Sequence, residues 1–341
     1  MGWGEGGRPR GRGPGRPAES GAGVGSATAP GLGAGGGYRL ETHGATPEVT
    51  EAEIVAGLSE LGLAGRTLMV HSSLRAFGHV RGGAEAVLGA LRSVVGTSGV
   101  LVLPSFAWCA DEAASGEGWP PGGRLAAAVP PGRAFDPAQT PAETGRISDT
   151  FWRQPGVLRA AHPTHALAAT GPAAGRLLEP HPADRCCAWD GPYGRLAAED
   201  AWVVLLGVGV SSLTFLHAIE DRCGAPYLGR ALGYLRRGDG VWGIPQVAYP
   251  SGDRDFYHRA SRVADWIAAW PGDERRVARI GGATVTALST RALARRGTDR
   301  LTRDPLFLLC RRPGCAFCAG WRRGQGEGVG QGREDGGEPP R

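Results

Sequence analysis

A histidine and a glutamate stand three residues apart in a segment with helical character. His217 and Glu220 occur in "TFLHAIED", which follows an apolar run and precedes Gly224. Residues three apart lie on one face of a helix, so the carboxylate can reach the imidazole. Such a pair can act as a general base with its orienting carboxylate, or it can form half of a metal site. Because no HExxH pattern completes a ligand set, we favour the base and its carboxylate.

A second stretch, "VHSSLRAFGHVRGG" at residues 70–83, joins an apolar run to a Gly-Gly pair. In open α/β sheets, ligands bind where a strand ends before a helix. A helix that begins at Gly82-Gly83 offers free backbone N–H groups to a phosphate, and Arg81 adds a positive charge. The stretch matches neither GxGxxG nor a P-loop. A capped polar turn without a ligand is the alternative interpretation.

The motif "AHPTHA" contains two further histidines, His162 and His165. Pro163 restricts His162 to an extended backbone, which suits a side chain held at the wall of a pocket. The alternative is that both histidines are structural parts of a loop.

Three of the seven cysteines are close together near the end of the chain. Cys310, Cys315 and Cys318 occur in "CRRPGCAFC". Three thiols are one ligand short of a structural zinc site unless a distant histidine or cysteine completes it. We therefore expect structural thiols and no bound metal, and we expect Cys109 and Cys223 to be ordinary buried thiols.

The segments that must position these residues alternate between strands and helices. Sequence patterns predict strands at 66–71, 99–106 and 201–209, and helices at 46–63, 82–96 and 211–224. A hairpin around residues 238–240 and helices near 254–270 and 285–296 follow. The first strand–helix–strand unit has the length of a right-handed parallel crossover. We predict an α/β (mixed α+β) fold with a central, largely parallel sheet flanked by helices and a hairpin-containing C-terminal portion.

Composition sets the outer limits of the interpretation. The chain has 341 residues, 41% hydrophobic content and no lysine, and its net charge of +5 comes from arginine. Residues 1–37 and 321–341 lack the apolar side chains needed for a core, so we predict two disordered tails around one domain at 38–320. No apolar run is long enough for a membrane span and no secretory signal is visible. We expect a cytoplasmic protein that binds neither membrane nor nucleic acid.

Taken in order, these stretches resemble the aminoglycoside 3-N-acetyltransferases of the antibiotic N-acetyltransferase superfamily. The likeness begins with "LMVHSSLRAFGHVRGGAEAVLGALRSVVGTSGVLVLPSF" and continues through "FDPAQTPAETGRISDTFWRQPGVLRAAHPTHALAATGPAA". It closes with "LLGVGVSSLTFLHAIE" and the downstream hairpin, and it spans roughly residues 48–310. No single motif is decisive, but their order and spacing together are specific.

The resemblance implies an acetyl-CoA-dependent enzyme, with a fold other than GNAT, that acetylates an amino group of an aminoglycoside at the 3-N position. It implies that His217 is the general base, Glu220 its partner and His162 a second histidine of the pocket. The residues that it assigns to the acyl-CoA site are His71, Ser72, Ser73, Leu74, Arg81, Gly82 and Gly83. The Thr214 hydroxyl is a candidate to stabilise the oxyanion.

The acceptor side is expected to combine aromatic walls with carboxylates, because aminoglycosides are polycations. Phe106 and Trp108 are the candidate walls. The candidate carboxylates are Asp111, Glu112, Asp253 and Asp255, each of which can equally be a solvated loop charge. We expect a monomer or a homodimer, and either antibiotic resistance or biosynthesis as its role.

Departures from the family pattern concern the acceptor. Ala160, Ala166 and Ser211 stand where relatives often have serine, serine and asparagine, while the His–Glu pair is intact. Two alternatives stay open. One is a protein that binds RNA or a partner through the RG-rich N-terminus. The other is a metal-dependent hydrolase built around His217 and Glu220.

Overall fold

The main sheet has seven strands. It belongs to a computed structural model that describes residues 48–112, 122–125, 129, 132–248, 254–258 and 260–324. The strands of the described residues are β1 (Glu48–Val49), β2 (Leu68–Ser72), β3 (His79–Val80), β4 (Leu101–Pro104), β5 (Ala110–Glu112), β6 (Gly123–Arg124), β7 (Leu158–Arg159), β8 (Leu167–Thr170), β9 (Trp202–Leu206), β10 (Gly229–Arg237), β11 (Gly240–Ala248), β12 (Arg275–Ile280) and β13 (Ala283–Ser289).

The helices pack around this sheet, and short 3-10 turns at Leu74–Phe77, Val210–Ser212 and Asp255–Tyr257 join them to strands. The α-helices of the described residues are α1 (Glu51–Glu60), α2 (Gly83–Val95), α3 (Arg146–Trp152), α4 (Ala174–Leu178), α5 (Pro192–Ala198), α6 (Phe215–Cys223), α7 (Arg262–Ala268), α8 (Thr290–Arg303) and α9 (Ala316–Arg322). None of them is long and apolar enough to cross a membrane.

The strand order in the main sheet is β12-β13-β9-β2-β4-β8-β7. The central strands β9, β2 and β4 are parallel, and the outer pairs on both sides are antiparallel. The predicted α/β class with flanking helices and a hairpin is therefore confirmed, with the parallel pairing restricted to the centre of the sheet. A second, four-stranded sheet has the order β5-β10-β11-β6, and β1 and β3 form a separate parallel pair.

Both faces of the central strands are buried. On β9, Val203 and Leu205 belong to one hydrophobic cluster, whereas Val204 and Leu206 belong to the other. The first cluster lies under α4, α5, α6, α7 and α8, and the second lies under α1, α2 and α3. This arrangement explains the continuous apolar runs of the sequence, which are typical of parallel strands covered on two sides.

Several predicted elements are confirmed closely. Thr50 caps α1 in a capping box with Glu53, and the β10–β11 hairpin turns at Gly238 and Asp239, as its Gly-Asp-Gly sequence predicts. The β2–α2–β4 unit is the predicted parallel crossover.

The region after 254 differs from the prediction. The helix near 254–270 is only α7. The first residues of the predicted second helix, 285–289, belong to strand β13, and α8 begins at Thr290. Val285 and Ala287 alternate with partly exposed threonines, which is the period of a strand. The predicted N-terminal tail lies outside the described residues, and α9 runs past the predicted boundary at 320 to Arg322.

Candidate active site

The carboxyl ends of the parallel strands bring the chemical motifs together. Ser72 at the end of β2 pairs with Leu206 at the end of β9, and the Ser73 N–H donates to the Leu206 carbonyl at 3.0 Å. Gly207 has φ 73°, and a Cβ there would lie 2.5 Å from the Ala76 side chain. Glycine therefore allows the loop before α6 to pass directly against the turn that follows β2.

His217 is held by a buried carboxylate. Its Nδ1 lies 2.5 Å from Oε2 of Glu220, and both residues are on α6, which is buried along most of its length. The other oxygen, Oε1 of Glu220, accepts a hydrogen bond of 2.7 Å from Nε of Arg254. Glu220 and Arg254 are both completely buried. The three side chains form a fixed chain of contacts from Arg254 through Glu220 to the imidazole.

The electrostatics of this chain keep Glu220 ionised. Burial by itself raises the pKa of a carboxyl group, but the Arg254 guanidinium and His217 outweigh it. The net pKa of Glu220 is therefore below its ordinary value. An ionised Glu220 accepts the Nδ1 proton of His217 and fixes the tautomer in which Nε2 carries the lone pair.

The basic nitrogen of His217 faces an accessible tyrosine. Nε2 lies 2.9 Å from Oη of Tyr257, whose residue is 42% exposed. Tyr257 also lines a cleft of about 400 Å³ together with Val208, Ser211, Phe256 and Ile267. Nε2 of His217 thus contacts the phenol of a residue that lines an open cleft.

Replacing Tyr257 with phenylalanine tests that contact. We expect the variant to keep its fold and to change kcat by less than about tenfold, because one hydrogen bond contributes only about 0.5–1.5 kcal/mol. Steady-state kinetics and thermal unfolding of the variant and wild type check this. A loss of activity as large as that of a His217 variant would mean that the phenol itself takes part in the proton transfer.

Two residues of the predicted acyl-CoA site carry buried polar atoms without a partner. Within the described part of the chain, Nε2 of His71 and Oγ of Ser72 make no hydrogen bond. Burial lowers the pKa of His71 to about 4, so its imidazole is neutral at physiological pH. A neutral imidazole and a hydroxyl at the end of a central strand are suited to a polar, uncharged part of a ligand.

The other residues assigned to that site have local structural roles. Ser73 and Leu74 begin the 3-10 turn after β2, and the Arg81 side chain is 71% exposed and ion-paired with Glu48. Gly82 and Gly83 have φ values of 81° and 58° at the start of α2. These positive values require glycine for the turn itself, and they do not depend on a phosphate.

His162 is completely buried, and backbone groups occupy both of its ring nitrogens. Nδ1 accepts from the His165 N–H at 2.9 Å and from the Thr164 N–H at 3.2 Å, so Nε2–H donates to the Arg185 carbonyl at 3.1 Å. Burial lowers its pKa to about 4. This geometry favours a role in positioning the 162–165 loop over the predicted role as a second histidine of the catalytic pocket.

Phe106 and Trp108 lie together around the other histidine of that loop. The ring of His165 is 4.6 Å from that of Phe106 and 6.1 Å, edge-on, from that of Trp108. Trp108 is 40% exposed, and its backbone N–H donates to the exposed Glu143 carboxylate at 3.2 Å. The predicted aromatic walls thus border a surface that also contains a histidine and a carboxylate.

The predicted acceptor carboxylates lie in different environments. Asp111 is exposed, accepts from Oη of Tyr234 at 2.7 Å and is ion-paired with Arg133. Asp255 is buried and accepts from the Ser261 hydroxyl and the Val263 N–H, both at 2.9 Å. Its placement does not support the prediction that it binds the acceptor, because the chain itself uses the carboxylate. The Glu112 side chain and the whole of Asp253 lie outside what the structure describes.

Sequence reasoning missed Arg254, Tyr257 and Glu143. Arg254 and Tyr257 stand in "DRDFYH", whose two aspartates are the predicted ligands of a cationic acceptor. The sequence signal that could have indicated a buried Arg254 is an arginine near apolar and aromatic residues. Nothing in the sequence indicated that Glu143 would reach the backbone of Trp108.

The contacts of Glu220 argue against a metal centre at the His217–Glu220 pair. Both oxygens of Glu220 are engaged, one by the imidazole and one by a guanidinium whose charge repels a cation. The metal-dependent hydrolase interpretation therefore lacks a free ligand at this glutamate. The alternative that depends on residues 1–37 concerns a segment outside the described residues.

Comparison with known proteins identifies the family. The model of the aminoglycoside 3-N-acetyltransferase family matches residues 69–302. Aminoglycoside N(3)-acetyltransferase VIII of Streptomyces fradiae is 39% identical over 52% of this chain and 63% of its own length. Aminoglycoside N(3)-acetyltransferase IV of a Salmonella species is 32% identical over 77% of this chain and 91% of its own length.

A solved structure shows the same relationship in three dimensions. The apoenzyme of aminoglycoside acetyltransferase AAC(3)-IVa superposes with a TM-score of 0.65 at 29% identity, over 82% of this chain and 99% of its own. The sequence match and the shared fold agree. The chain belongs to the aminoglycoside 3-N-acetyltransferase family, a family of acyltransferases.

Proposed function

We propose that this protein transfers the acetyl group of acetyl-CoA to an amino group of an aminoglycoside, at the 3-N position, with His217 as general base. The observation that carries the proposal is the arrangement of His217 between the buried, arginine-paired Glu220 and the exposed Tyr257. It fixes Nδ1 on an ionised carboxylate and leaves the basic nitrogen beside an exposed phenol at a cleft, an arrangement suited to accepting a proton from an amine.

The proton transfer follows from this arrangement. An acceptor amine is mostly ammonium at neutral pH and must lose a proton before its lone pair attacks a thioester carbonyl carbon. Nε2 of His217 takes that proton, while the ionised Glu220 stabilises the resulting imidazolium through Nδ1–H. The C–N bond then forms and the C–S bond breaks. The proton on His217 passes to the departing thiolate, and the attacking nitrogen releases its second proton to the solvent as the amide forms.

The acyl donor fits the unpartnered polar atoms at the end of β2. Nε2 of His71 and Oγ of Ser72 can bond to the amide groups of a pantetheine arm, which offers neutral donors and acceptors. Thr214 precedes α6 by one residue and is half-buried, one turn from His217. Its hydroxyl is our candidate for stabilising the oxyanion of the tetrahedral intermediate.

The acceptor is expected to bind beside Phe106, Trp108 and His165. A polycation is bound by carboxylates. Glu143 is exposed and contacts the Trp108 backbone, and Asp111 is exposed on strand β5. A solved histidine-to-alanine variant of the AAC(3)-IVa enzyme, 28% identical to this chain with a TM-score of 0.64, is in complex with a gentamicin. This supports an aminoglycoside as the acceptor class here.

Neutralising these carboxylates tests the acceptor side. We expect Asp111→Asn and Glu143→Gln each to raise KM for the aminoglycoside by about two- to fivefold, the range for exposed ion pairs, without changing KM for acetyl-CoA. Asp239→Asn, at the exposed hairpin turn, is the matched control and should leave both KM values unchanged. Equal effects on both substrates would place these carboxylates outside the acceptor site.

The activity itself is tested by following thiol release. The protein is mixed with acetyl-CoA and a panel of aminoglycosides that differ in whether a free 3-amino group is present. We expect thiol release only with acceptors that have this group, and mass spectrometry should show one added acetyl group. If no amine produces thiol and calorimetry detects no binding of CoA, the proposal is wrong.

A further inference from the structure

The C-terminal segment brings three cysteine side chains into one place. The Sγ atoms of Cys310, Cys315 and Cys318 all lie within 4.8 Å of one another. Cys310 and Cys318 are buried, and Cys315 is half-buried. In the described part of the chain, this is the one group of three or more histidine, cysteine or acidic ligand atoms that is compact enough to hold a metal ion.

The fold fixes the backbone on both sides of the cluster. Leu309 forms an antiparallel bridge with Arg254, which holds the chain just before Cys310. The Cys315 N–H then donates to the Arg312 carbonyl at 3.1 Å, closing a turn, and α9 begins at the next residue. Cys315 and Cys318 are three residues apart across the start of this helix, so their thiols lie on the same side.

We propose that Cys310, Cys315 and Cys318 bind a thiophilic divalent cation, Zn²⁺, as three thiolate ligands. Tetrahedral zinc with Zn–S bonds of about 2.3 Å needs sulfur atoms about 3.8 Å apart, so small side-chain rotations suffice. The C-x2-C spacing of the last two cysteines is common in zinc sites. Because the described residues add no fourth ligand to the group, water or an external ligand takes the fourth position.

The charge balance of the segment suits such a site. Each thiol releases one proton to the solvent on binding, so three thiolates and Zn²⁺ have a net charge of −1. Arg322 lies against the cluster, with Nη2 3.3 Å from the Cys310 carbonyl oxygen, and Arg311 and Arg312 follow Cys310 directly. Neighbouring arginines stabilise a negatively charged centre. This differs from the sequence-based expectation of no metal, because only the fold shows that the thiols converge.

The site would connect the C-terminal helix α9 to Tyr227 and Arg254, which support the His217–Glu220 pair. Cys310 and Cys318 share a hydrophobic cluster with Leu309 and Tyr227. The ring of Tyr227 lies under the Arg254 guanidinium at 4.7 Å, and it meets the Trp321 ring at 6.4 Å. A metal ion here fixes α9 against Tyr227 and thereby supports the position of Arg254. Its role is structural, and it takes no part in acetyl transfer.

Metal content tests the proposal directly. The full chain is produced with zinc in the medium and purified with a non-chelating phosphine reductant, and its metals are measured by elemental analysis. We expect one zinc per chain. After replacement by Co²⁺, we expect thiolate-to-cobalt charge-transfer absorption and the visible bands of tetrahedral cobalt. Removal of the metal with a chelator should lower Tm.

Variants of single cysteines assign the ligands. Cys315→Ser, at the half-buried position, should weaken zinc binding at least as much as loss of an outer-shell partner does, that is by about 10–100-fold or more. Cys318→Ser should behave alike, and if it fails to fold, Cys315→Ser still decides the question. Cys223→Ser, a half-buried cysteine outside the group, is the matched control and should keep one zinc per chain.

Two results would overturn the proposal. One is zinc at background level in the reduced wild-type chain together with no cobalt spectrum. The other is full zinc content in both the Cys315 and Cys318 variants.

Discussion

Replacement of His217 with glutamine is expected to lower kcat by about 10²–10⁴-fold, the range that a positioned general base contributes. Glutamine retains a polar side chain of similar reach, so the bond to Glu220 is partly preserved. It has no basic nitrogen to take a proton from the acceptor. Steady-state thiol release at saturating acetyl-CoA and aminoglycoside measures the effect.

The controls for this variant separate chemistry from folding. CoA binding, measured by calorimetry, should stay within about twofold of wild type, since His217 is not assigned to the acyl-CoA site. His79→Gln changes an exposed histidine whose Nε2 lies 3.2 Å from a Glu48 carboxylate oxygen, and it should leave kcat unchanged. Wild-type turnover in the His217 variant with intact folding would refute the assignment of the base.

Replacement of Arg254 with methionine is expected to be the most destabilising single change in the site. It leaves the completely buried Glu220 without its guanidinium partner, and removing one member of a buried ion pair costs about 3–5 kcal/mol of unfolding free energy. With an unfolding entropy of about 2.1 cal/mol/K per residue, that corresponds for 341 residues to a decrease in Tm of roughly 4–7 °C. Chemical denaturation and thermal unfolding both measure it.

A double variant shows whether the uncompensated charge is the cause. Adding Glu220→Gln to Arg254→Met removes the buried charge, and we expect it to restore a large part of the lost stability. Activity should remain low in the double variant, because an amide stabilises the imidazolium poorly. Equal destabilisation by the single and the double change would mean that packing of Arg254 on Tyr227 matters more than the ion pair.

The pH dependence gives an independent check with a defined sign. The folded-state pKa of Glu220 is lowered below its ordinary value of 4.5. The stability from the ion pair is therefore fully present above about pH 4.5 and lost as pH falls through the folded pKa. In Arg254→Met, the Glu220 carboxyl group can take up a proton, which removes the cost of a buried, unpaired charge. The destabilisation by this variant should thus be larger at pH 7 than at pH 5.

Much of the fold could be predicted because short-range patterns determine it. The apolar runs that became β2, β4 and β9, the Thr50 cap of α1 and the Gly-Asp-Gly hairpin are local signals with direct physical causes. β12 was missed because it is a partly exposed edge strand with three arginines among its six residues. β13 was missed because its short alternating stretch runs directly into α8. A short amphipathic strand followed directly by α8 has the composition of one longer helix.

The sequence alone determined the pairing of His217 with Glu220, since a helix places residues three apart on one face whatever surrounds them. Only the tertiary structure decided what that pair can do. Arg254, 34 residues further on, keeps Glu220 ionised, Tyr257 contacts the basic nitrogen, and His162 proved to be held by backbone groups. The convergence of Cys310, Cys315 and Cys318 likewise depends on the bridge between Leu309 and Arg254. Contacts between distant segments arise from how the core packs, and no local pattern of residues encodes them.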